Sequence, residues 1–140
     1  MNKNILKTGV QDFIENKWST DMMSVLLKKP IFEGVTQKEL VEQLEAKRKC
    51  KDKLPTWFKT RNIYYPNKLN IEQTSSEITA QYKANLIDGK SLIDLTGGYG
   101  IDSYFFSQKS EQIYHCEIDK NLSEIAAYNY EILGINNVKC

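Results

Sequence analysis

Little in this sequence suits metal binding, oxidative cross-linking or membrane insertion. One histidine, His115, and three scattered cysteines, Cys50, Cys116 and Cys140, are its whole store of soft ligands. No C-x-x-C pair occurs, and a single histidine leaves no zinc-site spacing, so no metal site is expected. An odd number of dispersed thiols fits a reducing compartment, and a cytoplasmic location is expected. No apolar run is long enough to span a bilayer, so no membrane partner is expected. Met1 to Val10 carries lysines but no sustained apolar stretch after them, which argues against a secretory signal. Length is short as well. The 140 residues, 41% hydrophobic and 26% charged, allow a modest globular core. They do not allow a helical domain plus a complete doubly wound sheet, so a small domain followed by a partial one, a fragment, is expected.

A near-zero net charge hides an asymmetry. Residues 1–70 hold 14 Lys+Arg and 8 Asp+Glu, a net of +6, whereas residues 71–140 hold 5 and 10, a net of −5. Two units with different partners would carry charge this way. So would two solvated surfaces that partly neutralise each other.

The first half reads helical. Val10, Phe13 and Ile14 form an apolar stripe ending near Trp18, and Ser19 or Thr20 is placed to cap a short helix with Met22, Val25, Leu26 and Leu27. Thr36-Gln37-Lys38-Glu39 is a capping box, with Val35 and Leu40 at staple spacing. The helix it opens should run to about Lys51, ending in a basic run, Lys47 to Lys53, that complements the helix dipole. Leu54 to Phe58 should break it, and 54–72 reads as a connector between a helical domain, 1–70, and the second half of the chain. The lysines beside Trp57, Phe58, Tyr64 and Tyr65 have the chemistry to track phosphates and stack bases, although a solvated helix end beside core aromatics has the same composition.

From residue 71 the pattern changes. Thr74-Ser75-Ser76-Glu77 is a second capping box, opening a helix with Ile78, Tyr82 and Leu86 on one side and Gly89 as its stop. Ser91 to Thr96 is a short apolar run suited to a buried parallel strand. A tight loop, Gly97-Gly98-Tyr99-Gly100, leads into a helix with Tyr104, Phe105 and Phe106. Gln112 to Glu117 is a second strand, where His115 and Cys116 are expected to be buried. Asp119 caps a helix with Leu122, Ile125, Ala126, Asn129, Ile132 and Leu133, stopped by Gly134; Asn136 to Cys140 begins a third strand. Strands alternating with helices make a parallel sheet with right-handed crossovers. The fold class is therefore α/β: a small N-terminal helical domain, then over 71–140 the first half of a Rossmann-like doubly wound sheet.

The chemistry lies at Asp94, Thr96, Gly97, Gly98, Gly100 and Asp102, with Glu117 closing the second strand 17 residues after Gly100. Glycines let a ligand approach the main chain, and an acid at the end of the second strand can accept both ribose hydroxyls of an adenosine cofactor. A dinucleotide site would need a third glycine and a helix N-terminus open to pyrophosphate. Here Asp102 would repel phosphate and Ser103 replaces the glycine, which disfavours a nicotinamide enzyme. A cationic sulfonium nucleoside suits acids better. Gln73, Ser75, Ser76 and Tyr99 are candidates for the pocket edge.

Asp94 to Gly100 resembles motif I of class I S-adenosylmethionine-dependent methyltransferases, with Thr96 where many members have glycine. Glu117 matches the family's ribose-binding acid, and Asn129, Gly134 and Asn136-Asn137-Val138 resemble its passage into the third strand. Lys53 to Trp57, Gln73 to Glu77 and Leu95 to Gly100 further resemble bacterial methyltransferases with a THUMP-like domain. That resemblance implies S-adenosylmethionine as cofactor, Asp94 at its amino-acid end, and RNA as substrate. The family's adenine-orienting acid and its acceptor-binding N/D-P-P-Y-like motif have no counterpart in these residues. No catalytic residue is named, and the chain alone is expected to bind cofactor weakly and transfer nothing. The rival reading is a non-catalytic RNA- or protein-binding module on a Rossmann-like scaffold. A half sheet with an exposed edge is also expected to self-associate.

Overall fold

The computed structural model describes all of residues 1–140, which form two compact units, Met1–Glu72 and Gln73–Cys140.

The first unit is helical. A 3-10 turn, Lys3–Leu6, precedes α1 (Thr8–Lys17), α2 (Met22–Leu26), α3 (Gln37–Lys53), α4 (Pro55–Lys59) and α5 (Lys68–Gln73). The Thr36 capping box forms as its residue types require: the Thr36 side chain accepts from the Glu39 amide and Glu39 answers the Thr36 amide. The Thr36 amide, and after it the Asn2 side chain, donate to the Glu39 carboxylate and hold it below its ordinary pKa. The cap of α2 is Asp21, which accepts from the Ser24 amide, rather than Ser19 or Thr20. Both lie too early in the chain to reach the first free amides.

Residues 54–72 are not a loose connector. α3 runs on to Lys53, and Pro55 opens α4 at a position where its missing N–H costs nothing. Leu54, Trp57, Ile63, Tyr65 and Ile71 are buried, as are Leu40, Leu44 and Cys50 of α3. Gln43 secures the extended part: its amide nitrogen donates to the Tyr65 carbonyl at 2.5 Å and its oxygen accepts from the Tyr65 amide at 3.0 Å. A buried side chain thus replaces the strand partner that this backbone lacks.

The basic run is largely spent within the unit. Lys47 is buried, 2.7 Å from Glu15 Oε1 and 2.8 Å from the Phe58 carbonyl oxygen. Lys49 pairs with Glu72, and Lys53 donates to the Ile71 and Glu72 carbonyls. Arg48 donates to the carbonyls of Trp18 and Thr20, and Lys51 lies over the Trp18 ring. Trp57, Tyr64 and Tyr65 are buried, so of the two readings of these aromatics it is core packing that the structure shows.

The second unit is α/β. It contains α6 (Glu77–Ala84), β1 (Ser91–Asp94), α7 (Ile101–Ser107), β2 (Gln112–His115), α8 (Lys120–Ile132) and β3 (Val138–Lys139), with the strands parallel in the order β1-β2-β3. Pairing sets Leu92 opposite Ile113, Ile93 opposite Tyr114 and Asp94 opposite His115. Two successive right-handed crossovers in one direction put α7 and α8 on the same face. Ile113 and His115 are therefore buried, while Ile93 and Tyr114 look out at 61% and 42% exposure. Strand β1 is covered on one side only, not on both as its apolar run suggested. The arrangement is a partial Rossmann-like fold.

Three features of α6 differ from expectation. Its cap is Ser76, which accepts from the Thr79 amide, so the box is not opened by Thr74. Ile78, Tyr82 and Leu86 face outward, and α6 packs on α7 through Ala80 and Ala84, whose small side chains permit close approach. The helix ends at Ala84, ahead of Gly89. No helix in the chain is long and apolar enough to cross a membrane, and no group of three His, Cys, Asp or Glu side chains is placed to hold a metal ion.

Candidate functional site

The site is built at the carboxyl ends of β1 and β2, where the chain leaves a parallel sheet and turns. That is where ligands bind in open α/β sheets. Gly97 to Gly100 form the turn, closed by the Gly100 amide on the Gly97 carbonyl at 2.9 Å. Gly98 (φ 55°) and Gly100 (φ 92°) are left-handed, which glycine adopts without a Cβ penalty. The Gly97 amide donates to the Cys116 carbonyl at 2.9 Å, pinning the turn to the end of β2.

Glu117 stands at the mouth of this turn. Its Oε2 accepts from the Gly98 amide at 2.9 Å and its Oε1 from the Asp119 amide at 2.9 Å. Two backbone donors orient the carboxylate and leave each oxygen a further lone pair. Asp119 caps α8 through the Asn121 and Leu122 amides. Asp94, expected at the amino-acid end, is built into the turn: Oδ1 accepts from the Thr96 amide at 3.2 Å and Oδ2 from the Ser103 hydroxyl at 2.8 Å. Thr96 itself is exposed.

Asp102 does not stand as a bare acid beside the turn. Its Oδ2 meets Lys83 Nζ at 2.9 Å and Ser75 Oγ at 3.1 Å, while Oδ1 is buried with no partner. Lys83, on α6, had no distinguishing sequence signal, and it places a cation where only acids were expected. Ser75 thus joins the cluster, Ser76 is occupied as a cap, and Gln73 is exposed at the end of α5. Tyr99 was expected at the rim but is 2% exposed, because the turn directs its ring inward, where its hydroxyl accepts from Asn129 Nδ2 at 3.3 Å. Cys116, expected to be buried, is exposed, since it sits past the end of β2.

His115 lies beneath the turn, 3% exposed, with Nδ1 3.0 Å from the Tyr130 hydroxyl and 3.4 Å from Ser103 Oγ, and with Nε2 unpartnered. Burial lowers its pKa; the charges of Asp94 and Glu117 oppose that shift without cancelling it. The unfolded chain, titrating near 6.5, therefore binds a proton before the folded one does. Stability should be full above that pH and fall below it, by up to about 1.4 kcal/mol per pH unit, until the folded form protonates. Urea midpoints measured between about pH 7.5 and pH 5 should show this slope, and His115→Asn should flatten it. A slope unchanged by the substitution would assign the acid sensitivity elsewhere.

The donor set fits a cationic nucleoside. Glu117 offers acceptors for ribose hydroxyls, Asp94 adds negative charge, and Gly98 meets nothing nearer than the Thr96 carbonyl at 3.8 Å where a side chain would project. That leaves room for a ligand against the main chain.

Comparison with known proteins bears on this fold. The crystal structure of a candidate methyltransferase from Porphyromonas gingivalis W83 matches 98% of this chain with a TM-score of 0.81 and 27% sequence identity. This chain spans 34% of the length of that protein. No family model and no curated protein matches the chain. The match supports a methyltransferase fold.

Proposed function

We propose that the second unit grips S-adenosylmethionine and that the chain contributes the cofactor-binding part of a methyltransferase acting on RNA. One observation carries the reading: Glu117, one strand away from the glycine turn in sequence, is bonded to the Gly98 amide at its mouth. In this reading Glu117 receives the ribose hydroxyls, Gly98 and Gly100 allow close approach of the main chain, and Asp94 favours the amino group. The bound cofactor would supply an electrophilic methyl group. The residues of this chain bind and orient; none of them is assigned to the acceptor, so the chain by itself is expected to transfer no methyl group. RNA as acceptor, and the group with a THUMP-like domain, rest on the resemblances at Lys53–Trp57 and Gln73–Glu77. The Lys47–Lys53 run adds no phosphate track to that support.

Calorimetry with S-adenosylhomocysteine tests the reading. The chain should bind it and should not bind NADH. Glu117→Ala should weaken binding about tenfold to a hundredfold, the weight of hydrogen bonds to a charged group, with the melting temperature monitored alongside. Heat with NADH, or wild-type affinity in Glu117→Ala, would sink it.

A further inference from the structure

Beneath the glycine turn lies a buried polar group that the cofactor reading does not use. His115, Asn129 and Tyr130 are 3%, 1% and 3% exposed, on the same strand and helix, β2 and α8, as the buried Ile113, Ile125 and Ala126. Buried polar side chains cost stability unless their hydrogen bonds are made. Each of these three is directed at the turn. The His115 ring lies so close under Gly97 that a Cβ there would fall inside it. The Tyr130 hydroxyl donates to the Gly100 carbonyl at 3.1 Å. Asn129, its neighbour on α8, donates to the Tyr99 hydroxyl at 3.3 Å.

Counting protons orders the network. The Gly100 carbonyl can only accept, so the Tyr130 proton goes there. The bond between Tyr130 Oη and His115 Nδ1, 3.0 Å, then needs a proton on Nδ1. Ser103 gives its proton to Asp94. The chain His115 Nδ1–H to Tyr130 O–H to Gly100 carbonyl is thereby complete, and Nε2 is left as a bare lone pair, matching its lack of a partner. The charged and titratable groups acting on the ring are Asp94 from β1, Glu117 just past β2 and Tyr130 from α8, with the Ser103 hydroxyl of α7 also in reach.

We propose that His115, Asn129 and Tyr130 are positioning residues, which hold the Gly97–Gly100 turn from below in the left-handed conformation that receives the cofactor. The proposal rests on reading that turn as the cofactor site. Gly98 and Gly100 have little intrinsic preference for one hand. Glu117 fixes the turn at its mouth, and the pair from α8 fixes it from the core. A ligand meeting an already ordered turn loses less entropy on binding.

Amide hydrogen exchange by NMR on the full chain tests this, with Tyr130→Phe as the main variant because it keeps the ring and removes only the hydroxyl. Exchange at Gly97, Gly98 and Gly100 should accelerate about tenfold, the weight of one hydrogen bond, while Ile113 and Ile125 change less. The Kd for S-adenosylhomocysteine should rise about fivefold or more, at temperatures well below melting. His115→Asn, which retains an N–H donor, should disturb the turn less than His115→Ala. Acceleration spread evenly over the second unit, or turn amides that do not respond, would overturn the proposal. A responding turn in a wild-type chain that gives no heat with S-adenosylhomocysteine supports the tether and overturns the cofactor reading instead.

Discussion

Gly100→Ala should cost the second unit about 2–5 kcal/mol and abolish cofactor binding. Two independent penalties act at this position. Its φ of 92° is a conformation that an L side chain adopts only under strain, worth roughly 1–2 kcal/mol. The added Cβ would also overlap the Tyr130 hydroxyl and its ring carbon Cζ, and overpacking of this kind costs roughly 1–3 kcal/mol. Neither neighbour yields easily, since Tyr130 is 3% exposed and tied to both Gly100 and His115. Thermal melting followed by near-ultraviolet circular dichroism should show the loss. In combination with Tyr130→Phe the two costs should be less than additive, because the second substitution removes the nearest clashing atom. A Gly100→Ala chain that melts and binds like wild type would contradict both the turn geometry and the tether beneath it.

The largest effect in the first unit is expected at Glu15. Lys47 carries its ammonium into a site where its side chain is 1% exposed, and Glu15, at 24%, is its one carboxylate partner there. The Phe58 carbonyl oxygen and the Tyr65 hydroxyl, at 2.8 and 3.4 Å, complete the cage, with the Phe58 ring 4.7 Å away. Glu15→Ala should destabilise the chain by about 3–5 kcal/mol, because it leaves a buried charge without its counter-charge. Lys47→Met combined with Glu15→Leu should recover much of that, since well-packed apolar side chains replace a buried ion pair at little cost. Denaturant titrations of both variants decide the matter. A Glu15→Ala stability within about 0.5 kcal/mol of wild type would mean that water reaches Lys47.

Both predictions turn on a partner, Tyr130 beneath Gly100 and Lys47 beside Glu15, whose role was illegible along the chain. Lys47 sits in a run of cations that reads as a solvated helix end or a phosphate track, and nothing in its neighbours marks it as inward. Only the winding of α3 against α1 and α4 shows that it is one of the buried positions of that helix. Tyr130 reads as one more position of α8, and Lys83 as a solvated helical lysine. Ile78, Tyr82 and Leu86 mislead in the opposite sense: regular helical spacing describes a face without saying whether anything covers it.

The sequence by itself determined the order of helices and strands in the second unit, the glycine turn after β1, the acid after β2 and the capping box at Thr36 and cap at Asp119. These depend on the nearest few residues, through backbone freedom at glycine and the reach of a short side chain to a nearby amide. Tertiary structure alone decided which faces are covered, that Asp102 is paired with Lys83, that Tyr99 points inward, and that His115 and Tyr130 meet beneath Gly100. Those outcomes depend on residues brought together from 15 to 30 positions apart. Their cost or benefit is set by burial, a property of the packed chain and not of any segment in it.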